Sequence, residues 1–214
     1  MTELQEPSAG PPAPVLDGHG LRLRAWDPES AGDVDAWLRG HLDPEFLRWN
    51  TPLRDITDTA GARESLRGKV AAMEAGTGVT FCVTDAEDGR VLGQVGLNVV
   101  DRVQSSANVG YWVLPEARGE GVAARSLRLA TIWFFAHMGL HRLELGHGIG
   151  HEASCRIAER CGFRYEGTLR GAMWEAGRRD AWRDVHCHAR LATDPDPARR
   201  GWPRGLRHPC PQVP

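Results

Sequence analysis

Arg118-Gly119-Glu120-Gly121-Val122-Ala123 combines the residue types that hold a phosphate. Glycine lets the backbone approach an anion closely, and the unpaired N–H groups of a first helical turn point at it. The missing Cβ at Gly121 matters most, because the backbone there would face a bulky ligand, and Arg118 adds a cation at the rim. The same residues also fit an ordinary loop entering a core helix, since short glycine motifs are weak signals. A second group is rich in imidazole. His147-Gly148-Ile149-Gly150-His151 invites a metal reading. No carboxylate or third ligand at a recognised spacing accompanies it, so no metal is expected. His186 and His188 share one face of a late strand, where they either look into a substrate site or pack in a sheet.

A phosphate turn needs a strand before it and a helix after it. Asn108 to Leu114 reads as the strand, Pro115 ends it, and the apolar run Val122 to Met138 reads as the helix. Upstream, Leu21 to Trp26 alternates like a strand, and Asp27-Pro28 opens a helical stretch to about Leu42. Asp43 to Asn50 is ambiguous, and Asp58 or Thr59 caps a helix to about Ala75. Val79–Ala86 and Val91–Val100 flank Asp88-Gly89, a hairpin signal, and with 107–114 they form an antiparallel meander. Downstream come a strand at Arg142–Leu145, a helix over 151–161, and strands at Phe163–Thr168 and Asp184–Ala192. This order predicts a mixed α/β (α+β) domain over 20–193, between a disordered leader, 1–19, and a disordered Pro/Arg-rich tail, 194–214. Ligands of such sheets bind beyond the carboxyl ends of the strands, where the Gly turn sits.

The chain has 214 residues, 41% hydrophobic, with a formal net charge of -2, which suits one soluble domain with a sizeable core. A nucleic-acid binder would be strongly basic, so that class is set aside. No apolar run reaches membrane-spanning length, and no secretory signal opens the chain. The 5 cysteines are odd in number and include no CxxC pair, which points to reduced thiols in a cytoplasmic protein.

Several segments then match a known pattern. Arg118, Gly121 and Ala123 fit an acyl-CoA signature of Arg or Gln, two residues, Gly, one residue, then Gly or Ala. Ala107-Asn108-Val109-Gly110-Tyr111-Trp112 precedes it; His151-Glu152-Ala153-Ser154, Cys161-Gly162-Phe163, Tyr165-Glu166-Gly167-Thr168-Leu169-Arg170 and Asp184 to Arg190 follow. Over about 20–192 the chain resembles the GNAT superfamily of acyl-CoA-dependent N-acetyltransferases, and within it the RimJ/RimL type that acetylates protein α-amino groups. The resemblance implies a mostly antiparallel sheet of about seven strands with about four helices, and a V-shaped splay between its fourth and fifth strands. It implies acetyl-CoA as donor substrate and an amine as acceptor, in a monomer or homodimer.

Site residues follow from the same resemblance. The CoA pyrophosphate would sit on Arg118, Gly119, Glu120, Gly121, Val122 and Ala123. Pantetheine would lie along the end of the fourth strand, with a backbone N–H near Val113 or Leu114 polarising the thioester carbonyl. His151 stands where the family usually has Asn, also on the cofactor side. Ser154 takes the position of a proposed general acid near the CoA sulfur, or merely hydrogen-bonds a helix carbonyl or pantetheine amide. The relatives' glutamate base is replaced by Met173; Glu175, two residues on, either substitutes for it or is a solvated hairpin carboxylate. Glu144 either acts through water or pairs with Arg142 or Arg164. Trp49, Trp174, Trp182 and His186 are candidates for the acceptor pocket. The expected activity is acetyl transfer to a primary amine, with a protein N-terminal α-amine as the leading acceptor. A small-molecule amine, a larger acyl donor such as succinyl-CoA, and a catalytically weak acyl-CoA-binding module are the alternatives.

Overall fold

The computed structural model describes residues 14–52 and 54–197. Its strands are β1 (Leu16–Gly18), β2 (Leu21–Ala25), β3 (Val79–Asp85), β4 (Val91–Asp101), β5 (Ser106–Val113), β6 (Arg142–Gly148), β7 (Arg164–Trp174) and β8 (Trp182–Leu191). They form one sheet in the order β1-β2-β3-β4-β5-β6-β8-β7. Its helices are α1 (Ala31–Leu42), α2 (Pro44–Trp49), α3 (Thr59–Glu74), α4 (Val122–Met138) and α5 (Glu152–Arg160).

Two elements exceed expectation. Leu16–Gly18 lies in the stretch expected to be a disordered leader, yet it pairs antiparallel with β2, Leu16 opposite Leu23. The leader's residues 1–13 and the tail's residues 198–214 lie outside the described residues. The ambiguous stretch after Asp43 becomes α2, because Asp43 accepts the Phe46 N–H at 2.9 Å and Pro44 occupies the first turn. α1 begins later than Asp27-Pro28 because Ser30 caps it through Asp33 N–H, while the Asp27 side chain takes the Glu29 N–H. Asp58 caps α3 as expected.

The central strand β3 is buried on both faces, while the edge strand β7 is largely exposed. Along β3, Phe81 and Val83 enter a core with Leu127 and Phe134 of α4, while Cys82 enters a second core with Val34, Trp37 and Leu66. This alternation sends successive apolar side chains of β3 into opposite cores.

The sheet's parallel pair, β5 and β6, creates the cleft. It is joined by the α4 crossover and pairs only from Ser106↔Arg142 to Asn108↔Glu144. Beyond that point β5 stays on β4 as far as Val113, and β6 stays on β8 as far as Gly148. The wedge between them is the expected splay. Register shifts at Tyr165/Gly167 and Leu169/Met173 bend the β7–β8 hairpin beside it. No described helix is long and apolar enough to cross a membrane.

Candidate active site

The donor turn is set by backbone conformation. Gly119 and Gly121 have φ of +84° and +76°, the left-handed region that costs other residues energy. A Cβ at either would meet nothing within 4 Å, so conformation rather than crowding demands glycine. Gly121 is the N-cap of α4, and its carbonyl takes the first helical bond from Arg125 N–H at 3.0 Å. The N–H groups of Val122, Ala123 and Ala124 precede that bond and carry the positive end of the helix dipole. Arg118 pairs with the buried Asp43 carboxylate, and its Nε donates to the Val113 carbonyl at 3.1 Å. A cavity of about 420 Å³ runs from this turn past Val113 to Ser154. Arg118, Gly119, Gly121, Val122 and Ala123 line it; Glu120 does not, and instead lies 3.9 Å from Arg90.

A second cavity of about 300 Å³ occupies the splay, lined by Lys69, Asn98, His147 and Met173 among others. The two cavities share Phe46, Trp49, Asn50, Tyr111, Trp112, His151 and Ser154. Those side chains mark where a donor and an acceptor would meet. Ser154 is buried in the first turn of α5. The Tyr111 phenol is buried beside it without a closed hydrogen bond, and burial pushes its pKa far above the ordinary range, against a weaker opposing pull from Ser154. Tyr111 is thus a neutral hydroxyl at the junction. In the sequence Tyr111 is marked only as part of a strand, on the same side as the core residue Val109. His151 stacks on Trp49 with ring centroids 4.3 Å apart and planes within 4°. Burial first and His147 second lower its pKa to about 4, so the ring is neutral.

Several expectations are corrected. Leu114 N–H donates to the Leu92 carbonyl at 2.9 Å and lines neither cavity, so it is not the polarising donor. Alternation along β5 turns the Val113 and Tyr111 N–H groups away from β4, into the splay. Glu175 lies past the end of β7 and lines neither cavity; its backbone bonds Ala181 and Thr51, and its charge acts on Arg183. Met173 does line the acceptor cavity. Trp174 packs on Trp182 and lies under Arg179, away from both cavities. His186 is fully buried on β8 and lines neither cavity. Glu144 bonds Arg142 at 2.8 Å, which settles it as an ion-pair partner.

Comparison with known proteins agrees with this geometry. The acetyltransferase (GNAT) domain family matches residues 20–164. The chain is 31% identical over 90 residues to the putative ribosomal N-acetyltransferase YdaF of Bacillus subtilis, covering 42% of this chain and 49% of that one, about half of that relative's length. It is 27% identical over 156 residues to the ribosomal-protein-serine acetyltransferase of Escherichia coli, covering 72% and 79%. The solved structure of Mycobacterium smegmatis RimJ in complex with CoA-disulfide is similar at a TM-score of 0.73 and 26% identity, covering 90% and 92%.

Proposed function

The chain belongs to the GNAT acetyltransferase family and is an acetyl-CoA-dependent N-acetyltransferase, and from that premise we propose that its acceptor is the α-amine of a protein N-terminus. One observation carries the choice of acceptor. Among the described residues lining the cavity in the splay there is no Asp or Glu, while Lys69, the chain's one lysine, is there. A polyamine would need carboxylates to hold its several charges. A peptide N-terminus brings one amine and many amide groups, which suits Asn98, Gln94 and Asn50 in the lining.

Acetyl-CoA would lie in the donor cavity, its pyrophosphate on the N-terminus of α4 and its thioester at the mouth of the splay. The Val113 and Tyr111 N–H groups face the place where the oxyanion forms. The amine attacks the thioester carbon directly, and the C–S bond breaks as the tetrahedral centre collapses. With no carboxylate in the acceptor lining, the ammonium proton leaves through water. Ser154, beside the Tyr111 phenol, gives a proton to the departing thiolate and regains one from the nitrogen of the tetrahedral centre through water, so the products are the acetylated amine, the CoA thiol and the one proton already lost to water.

The test is a mass-spectrometric screen of peptides with free and blocked N-termini, spermidine, and amino-acid amines, each with acetyl-CoA and succinyl-CoA. Acetylation of the free N-terminal peptide alone is expected. Faster modification of spermidine or of a small amine would overturn the acceptor. CoA binding without turnover on any amine would favour the weak-binding module.

A further inference from the structure

Behind the acceptor cavity, β6, α5 and β8 bury three imidazoles and a thiol together. His147, Cys155, His186 and His188 are each at most 5% exposed. Ligand atoms of His147, Cys155 and His186 all lie within 4.8 Å of one another. His147 Nε2 lies 3.3 Å from His188 Nε2, and Cys155 Sγ lies 3.6 Å from the same nitrogen. Tetrahedral zinc, with Zn–N of about 2.0 Å and Zn–S of about 2.3 Å, sets its donor atoms about 3.3–3.8 Å apart. Two pairs already have that spacing, and the separations among the His147, Cys155 and His186 atoms, all within 4.8 Å, need to shrink by about 1.5 Å at most.

The hydrogen bonding also suits a ligand set. His147 Nδ1 lies 3.2 Å from the Gly148 carbonyl. Donation there leaves the Nε2 lone pair directed at the cluster, the orientation that a backbone carbonyl imposes on metal-binding histidines. His188 is fully buried, and its Nε2 faces His147 and Cys155. This set differs from the His147 and His151 pair suggested by sequence: those rings meet edge to face at 6.1 Å, and His151 stacks on Trp49 instead.

We propose that His147, Cys155, His186 and His188 form a binding site for one divalent ion of the zinc class. The ion takes no part in acetyl transfer. It fastens α5, which carries Ser154, to β6 and β8. The mixed nitrogen and sulfur set selects a borderline ion such as Zn²⁺ or Co²⁺ over Mg²⁺ or Ca²⁺.

The test titrates Co²⁺ into the reduced, chelator-stripped full chain. The expected result is a 1:1 complex with visible d–d bands and a near-ultraviolet sulfur-to-cobalt charge-transfer band, both displaced by Zn²⁺. Zn²⁺ should also raise the Tm, because it binds the folded state. Cys155→Ser should lose the charge-transfer band, and His188→Gln should weaken Co²⁺ binding at least tenfold. Acetyl-CoA binding by calorimetry shows that each variant is folded. No charge-transfer band in the CoA-binding protein, or one that survives in Cys155→Ser, would overturn the site. Either outcome leaves the acceptor assignment untouched, since the peptide screen is read separately.

Discussion

Arg118 pairs with Asp43, whose carboxylate also caps α2 through the Phe46 N–H. One buried carboxylate thus fastens the donor turn to the helix that ends at Trp49. The cation expected to face the pyrophosphate is held in place before any ligand arrives.

Asp43→Ala removes the cap and the ion pair together. The expected cost is about 1–2 kcal/mol of stability, mostly from the cap, since Arg118 is partly exposed. The KM for acetyl-CoA should rise several-fold because the turn loses its anchor. Asp43→Ser restores the cap but not the charge, so urea midpoints should recover while KM does not. Recovery of both would reduce Asp43 to a cap alone.

Gly121→Asp places a side chain at φ +76° and a negative charge at the phosphate position. Acyl-CoA binding should disappear by calorimetry. Gly121→Ala carries only the conformational strain, of roughly 1 kcal/mol, and should keep measurable affinity. Micromolar binding by Gly121→Asp would remove this turn from the donor site.

The donor half of the site was legible because its demands are local. A left-handed cap needs glycine at Gly121, and a helix start needs a cap such as Asp58. Both show within a few residues of sequence. The acceptor half depends on register and long-range pairing. Leu114 and Val113 are equivalent in sequence, and only the pairing of β4 with β5 decides which N–H is spent on Leu92. Glu175 and Met173 share a side of an extended segment, but the hairpin bends at Leu169/Met173 and only Met173 reaches the cavity. Cys155 joins His147, His186 and His188 across three elements, with no spacing to reveal it.

Stability should fall as pH drops from about 6.5 toward 5, before most carboxylates titrate. His151 and His188 have folded pKa values lowered to about 4, chiefly by burial, and His41, His147 and His186 are lowered too. The unfolded chain therefore binds more protons than the folded one in this window. The stability from neutral burial is complete above the unfolded pKa and is lost as pH falls toward the folded one. Each histidine adds a slope of up to about 1.4 kcal/mol per pH unit. Urea midpoints at pH 7, 6 and 5, with chelator present, should decline, and His188→Gln should decline less steeply. A flat profile would mean that these rings are hydrated in solution.

Ser154 and Tyr111 should behave as one unit. Both hydroxyls are buried at the junction of the cavities, and Ser154 is the one expected beside the CoA sulfur. Ser154→Ala should leave acetyl-CoA affinity nearly unchanged and cut kcat by about 10²-fold, the lower end for a positioned acid. Tyr111→Phe keeps the ring packing and removes only the phenol that backs Ser154, so its loss should be smaller. If the proton passes between them, the double variant should be no slower than Ser154→Ala, because the phenol has nothing left to serve. Multiplicative losses would place the two hydroxyls in separate roles, with Tyr111 holding the donor. An unchanged rate in Ser154→Ala would take the serine out of the chemistry and leave water as the proton source for the thiolate.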